Sequence, residues 1–209
     1  MNKDALVLKV LKEAFPDARC ELKFTKDYEL LMAVVLSAQT TDKRVNMVTE
    51  ELFKYNLEEL AHLDLKVIED IIKPIGTYKV KALYINEIAN NLVNKYNSKV
   101  PSSKKALLSM PGVGIKTYNV VASNLFNVPC IAVDTHVSRV AYRLGLCLSK
   151  DPVKVEASLK RRYPKDEWIN LHHRMVLYGR YICKARSPLC ERCQMKGICK
   201  YFNQSKKTS

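Results

Sequence analysis

The chain has 209 residues, 35 Lys and Arg against 21 Asp and Glu, a net charge of +14, 47% hydrophobic residues, seven Cys and only six Gly. A chain of this length buries one sizeable core or two small ones, which excludes both a disulfide-dependent miniprotein and a large multidomain machine. Its longest uninterrupted apolar run, Leu30–Leu36, is seven residues, far short of the roughly 20 that a membrane span needs, so no membrane partner is expected.

Hydrophobic period predicts helix nearly everywhere. Asp4 is read as the cap of ALVLKVLKEAF, Asp27 of YELLMAVVLSA and Asp42 of KRVNMVTEELFKY, each followed by apolar residues three and four apart. Further helices are predicted at Leu57–His62, Leu65–Ile72, Lys79–Tyr96, Ser103–Ser109, Ile115–Phe126, Thr135–Leu144, Pro152–Arg162 and Trp168–Ile182. The eight prolines fall at or beside the joints, as a residue that breaks helix interiors should. No strand-like alternation bounded by hairpin turns appears, so the predicted class is all-α. The polar tail Asn203–Ser209 is expected to be disordered. The N-terminal sequence MNKDALVLKVLKEAF alternates charged and apolar residues without a signal-peptide core. It therefore predicts a cytoplasmic, reducing setting, beside the nucleoid if the source is bacterial.

Within such a setting the charge needs a partner, and nucleic acid is the first candidate, since Lys and Arg contacts to phosphate release counterions. The charge is unevenly placed. Residues 179–209 carry eight basic groups against one acid, Glu191, and the same stretch holds Cys183, Cys190, Cys193 and Cys199 in a C-x6-C-x2-C-x5-C spacing. Four clustered thiols in a reducing compartment point to a metal centre. Zinc and a [4Fe-4S] cluster both accept four thiolates; one compact run with a single C-x2-C knuckle favours the cluster. The remaining cysteines, Cys20, Cys130 and Cys147, lie singly in apolar contexts and read as packing residues.

One joint is chemically unusual. In Leu107-Leu108-Ser109-Met110-Pro111-Gly112-Val113-Gly114-Ile115-Lys116-Thr117, two glycines allow a tight hairpin whose N–H groups, with the positive end of a helix dipole, form a phosphate site. An ordinary helix–turn–helix corner is the competing reading of the glycines alone. Likewise Lys116 reads equally as a phosphate contact, and Asp134 as the cap of Thr135–Leu144.

Met110-Pro111-Gly112-Val113-Gly114 with Lys116-Thr117 resembles the helix-hairpin-helix signature of DNA-repair proteins. Ile131-Ala132-Val133-Asp134-Thr135-His136 resembles the aspartate loop that follows it in base-excision glycosylases. With Leu36-Ser37-Ala38-Gln39-Thr40-Thr41-Asp42 and the four-cysteine tail, the chain from about residue 20 to residue 202 is similar to the endonuclease III family of bifunctional DNA glycosylases and abasic-site lyases. The resemblance implies a two-domain all-α fold: residues 22–132 as a helical bundle with the hairpin, and residues 1–21 plus 133–209 as a discontinuous domain with one [4Fe-4S] cluster on the four cysteines. It implies a monomer acting on double-stranded DNA that contains oxidised pyrimidines or abasic sites. DNA would run between the two domains.

Carried over position by position, the resemblance makes Lys116 the nucleophile and Asp134 its carboxylate partner. An amine that attacks C1′ forms an imine, which acidifies C2′ and lets the 3′ phosphate leave; a carboxylate accepts a proton or stabilises the charged sugar. Gln39 matches the residue that fills the gap left by the extruded nucleotide. Gly112, Val113, Gly114, Thr117, His136, Lys184 and Arg186 match DNA-contacting positions, and Asp42 a pocket position. His172 and His173 read as structural. The chain departs from the family at Thr77, where the best-known members carry a leucine wedge; Ile75 or Tyr78 is expected to compensate in part.

Overall fold

The computed structural model describes residues 2–205, apart from the Ser205 side chain, and among these residues the regular elements are helical throughout. In chain order they are α1 Lys3–Ala14, α2 Asp27–Leu36, α3 Asp42–Leu52, α4 Leu57–His62, α5 Leu65–Ile72, α6 Tyr78–Tyr96, α7 Lys104–Leu108, α8 Ile115–Phe126, α9 Thr135–Leu144, α10 Pro152–Arg162, α11 Trp168–Tyr181 and α12 Lys200–Ser205, with short 3-10 turns after α10 and among the cysteines. No helix of the described residues is long and apolar enough to cross a membrane.

The chain divides into two compact units. Cys20–Val128 is continuous, while the residues up to Arg19 join the chain from Pro129 onward. In the continuous unit, α2 is the central helix: Leu30–Leu36 is buried on every face, as expected of a helix that is apolar all round, and α3, α6 and α8 pack on it. The amphipathic α5 turns Ile68 and Ile72 inward. Helix α4 is tied to α6 by polar contacts, with Asn86 Nδ2 donating to the Leu60 and Ala61 carbonyls at 3.2 and 3.1 Å and Asn90 Nδ2 to that of Ala61 at 2.9 Å. These bonds satisfy carbonyls that the C-terminus of a helix leaves without partners.

The second unit is built around α9 and α11, with α1 packed on α11 and α10 and α12 on α9. Its core runs from Val7, Val10 and Leu11 through Val137, Val140 and Leu144 to Leu171, Met175 and Tyr178. His172 and His173 are buried here with rings 4.9 Å apart. Burial pushes His173 down to about 4, so it is neutral at pH 7.

The caps differ from expectation at three helices. Helix α1 is capped by Asn2, whose Oδ1 accepts from Ala5 N at 2.8 Å, and Asp4 sits in the first turn. Helix α2 begins at Asp27 itself; the buried Glu29 reaches back and its Oε2 accepts from the Thr25 and Lys26 N–H groups at 2.6 and 3.1 Å. Helix α3 is capped by Thr41, one residue before Asp42. In each case the carboxylate lies one or two residues inside, where it meets the positive end of the dipole. Disorder from Asn203 is also corrected: Asn203 to Ser205 belong to α12, anchored by Asn203 Nδ2 on the Gly197 carbonyl at 3.2 Å. Residues 206–209 of that expected tail lie outside the described residues.

Candidate functional site

The hairpin between α7 and α8 follows from its two glycines, which act differently. Gly112 has φ +72°, and a Cβ there would stand 2.7 Å from Tyr84 Cδ2 and 2.9 Å from Val35 Cγ1. Backbone conformation and packing on α2 and α6 therefore both demand glycine. Gly112→Ala is expected to cost about 2–4 kcal/mol, combining overpacking with left-handed strain, measurable as a lower urea midpoint at unchanged slope. Gly114, the N-cap of α8, has an extended backbone and open space where a Cβ would sit. Nothing inside the protein requires glycine there, and the missing side chain leaves the first turn of α8 open to close approach from outside.

The first N–H groups of a helix have no intrahelical acceptor, and α8 offers those of Ile115, Lys116 and Thr117 around Gly114. Val113 has a different place: its side chain is buried and its N–H donates to the Met110 carbonyl at 3.2 Å, so it holds the turn. The Lys116 side chain is exposed on the first turn of α8, and Thr117 is half-buried behind it.

Elsewhere in the continuous unit, Gln39 is exposed just past the end of α2, with φ +59°. Thr77, the N-cap of α6, is also exposed and left-handed at φ +56°. Ile75 is buried, so it is core and not a substitute wedge. The sequence pattern had not singled out Lys81, which is buried beneath the Gln39 turn and donates to its carbonyls. Only the fold shows this contact, across more than 40 residues.

In the second unit, Asp134 is the N-cap of α9, and its Oδ1 accepts from Val137 N at 2.8 Å. The side chain is half-buried, which leaves the carboxylate fixed in direction by one oxygen. His136 follows on α9 against Gly179 of α11, where an added Cβ would meet His136 Cβ at 2.8 Å. Arg139 Nη2 lies 3.1 Å from His136 Nδ1 and 2.7 Å from the Gly179 carbonyl, to which it donates. Burial, with help from Arg139 and Arg180 and against the pull of Asp134, moves His136 below the usual histidine range. A neutral His136 accepts at Nδ1 from Arg139 within α9, and it is the Arg139 bond to the Gly179 carbonyl that joins α9 to α11.

The four tail cysteines line one cavity together with Val140, Leu144, Tyr178, Ile182, Leu189 and Phe202. The Tyr178 hydroxyl is 3.0 Å from Cys193 Sγ, and Arg143 Nη1 donates to Cys183 Sγ at 3.5 Å. Such donors are what sulfur ligands of a cluster require in their surroundings. Burial pushes the thiols of Cys190 and Cys199 up, reinforced at Cys190 by the other three thiols. Loading with metal must therefore displace protons. Among the described residues no three His, Cys, Asp or Glu side chains converge as a single-ion site. Four thiolates lining one cavity suit a multi-iron cluster, whose irons each take one thiolate. Arg143 also donates to the Lys184 and Ala185 carbonyls at 2.6 and 3.1 Å, bracing the exposed loop that carries Lys184 and Arg186.

Comparison with known proteins agrees with these features. Residues 32–165 match the family model described as HhH-GPD superfamily base excision DNA repair protein, and residues 183–199 match the iron-sulfur binding domain of endonuclease III. The chain is 46% identical over 191 residues to endonuclease III of Bacillus subtilis, covering 90% of this chain and 87% of that one. It is 40% identical to endonuclease III of Escherichia coli K12, covering 93% of each. Among solved structures, an endonuclease III trapped as a covalent intermediate with DNA superposes with a TM-score of 0.91 at 43% identity over 99% of both chains.

Proposed function

The chain belongs to the HhH-GPD superfamily of base excision DNA repair proteins and, within it, to the endonuclease III family, and on that premise we propose the residues and substrates through which it acts as a DNA glycosylase and abasic-site lyase. The observation that carries the assignment is the open first turn of α8: Gly114 without a structural need to be glycine, and Lys116 exposed beside it.

Lys116 Nζ, as the free amine, attacks C1′ while the C1′–N bond breaks and its electron pair leaves with the base. The imine forms as the C1′–O4′ bond opens: its electron pair goes to O4′, which takes up one proton, and the nitrogen sheds its two protons in turn. The C2′ proton is then removed, and its electrons form the C2′–C3′ double bond as the 3′ phosphate departs with the C3′–O pair. Ile115, Lys116 and Thr117 present N–H groups to a backbone phosphate at the positive end of the helix. Asp134, oriented by its cap bond to Val137, opposes the positive charge that develops on the sugar and accepts a proton. Gln39 fills the gap left by the extruded nucleotide. Lys184 and Arg186 contact phosphates from the braced loop.

Cys183, Cys190, Cys193 and Cys199 hold the [4Fe-4S] cluster. When bound it supplies shape and folding energy to the loop, and Arg143 and Tyr178 orient its ligands. The substrates are duplexes with oxidised pyrimidines such as thymine glycol, processed by a monomer in the compartment that holds the DNA. The test is release of base and of a β-eliminated strand from duplexes carrying oxidised, alkylated or mismatched bases. Release from oxidised pyrimidines at least tenfold faster than from the others is the expected result; equal or greater rates on alkylated or mismatched bases overturn the substrate assignment.

A further inference from the structure

Lys81 is 4% exposed on α6, and its ammonium donates to the carbonyl oxygens of Leu36 at 2.9 Å and Ala38 at 2.7 Å. Burying a cation is costly without compensation. A neutral Asn or Gln would satisfy the same carbonyls more cheaply, so the charge has a use beyond filling the core. It lies at the negative end of the α2 dipole, bonded to the residue that ends α2 and to the one immediately before Gln39. Gln39 is held at φ +59°, in the left-handed region that strains any residue with a Cβ. The other end of Lys81 is equally placed: its N–H donates to the Thr77 carbonyl at 3.1 Å, and Thr77 is the second exposed left-handed residue of this surface.

We propose that Lys81 is a positioning residue for base extrusion, tying the Gln39 turn to the start of α6 so that Gln39 and Thr77 are presented together to the gap in the duplex. Both ties run through one side chain and its own backbone. Rotation of either exposed segment away from the other breaks a bond to Lys81. The lowered pKa of Lys81, caused by burial, agrees with a cation held by carbonyl dipoles alone. Where the familiar leucine wedge is replaced by Thr77, more of the gap-filling falls to Gln39, and its fixed direction matters more.

The inference rests on the gap-filling reading of Gln39, and the experiment separates the two. The rate of strand cleavage at an abasic site is measured in a duplex and in the same strand alone, which has no opposing base and no gap to fill. The ratio of the two kcat/KM values is the readout, and a reduced folded fraction cancels from it. Lys81→Met is expected to lower the ratio at least tenfold and Lys81→Arg to recover part of it. In a Gln39→Ala background, adding Lys81→Met is expected to lower the ratio less than twofold. If Gln39→Ala alone leaves the ratio unchanged, the gap-filling reading fails. If Gln39→Ala lowers it but Lys81→Met does not, or lowers it equally in both backgrounds, the positioning role fails. Should Lys81→Met give no soluble protein, Lys81→Ala, which likewise removes the donor to both carbonyls, takes the same test with the same outcomes.

Discussion

Lys116→Ala is expected to give no borohydride-trapped adduct with an abasic-site duplex while still binding that duplex. Reduction traps only an imine, so the adduct reports the amine that attacks C1′ and ignores residues that merely touch phosphate. β-Elimination should fall at least about a thousandfold, the scale on which a lost nucleophile is felt. Binding should change little. Loss of one phosphate contact out of several alters the salt slope by about one unit at most. Lys116→Arg sharpens the comparison, because a guanidinium keeps the charge but stays protonated in proteins and cannot attack carbon. If Lys116 serves only as a phosphate contact, Arg restores function; if it is the nucleophile, Arg is as inactive as Ala. An adduct in Lys116→Ala comparable to the parent would assign the chemistry to another amine.

How much of this was legible in the sequence varies with the range of the interaction. Helices α4, α5, α8, α9 and α10 have the bounds that period and turn residues predict, because both signals are local. The caps at Asp4, Asp27 and Asp42 lie one or two residues off for a local reason too: Asn2 and Thr41 cap α1 and α3 from just before those acids, Glu29 reaches back to the N–H groups ahead of α2, and an acid in the first turn is favourable without capping. Gly112 and Gly114 look alike in sequence, yet one is forced by Tyr84 and Val35 and the other is not. Only packing between helices distant in the chain separates them. The same holds for Lys81, which reads as one more charge on an amphipathic helix until α2 is laid beside α6. The packing of His136 on Gly179 and its bond with Arg139 are likewise visible only once α9 and α11 are side by side.

The second large effect is expected at the cysteines. From Cys183 to Cys199 only Met195 and Cys199 are buried among the apolar residues. Each contributes about 2 kcal/mol, whereas fixing the backbone costs about 1–2 kcal/mol per residue, on the order of 20 kcal/mol for the segment. Loop hydrogen bonds, including those from Arg143, offset part of this. The rest has to come from metal ligation, which in zinc-finger peptides contributes roughly 10–16 kcal/mol. Cys199→Ala removes the ligand nearest the core, the one whose Sγ lies 3.2 Å from the Arg143 carbonyl. Iron content and the visible absorption of the cluster should be lost. A loss of about 5 kcal/mol lowers the melting temperature by roughly 10–20 °C in a chain of this size. Proteolysis should begin between residues 183 and 205, with Cys20–Val128, whose core contains none of these cysteines, cut later. Binding to DNA should weaken as Lys184 and Arg186 lose their brace. Cys147→Ala, a half-buried cysteine outside the cavity, is the control and should keep its iron. Full iron content in Cys199→Ala, or a zinc-loaded, iron-free parent protein after anaerobic purification, would remove the cluster from residues 183–199.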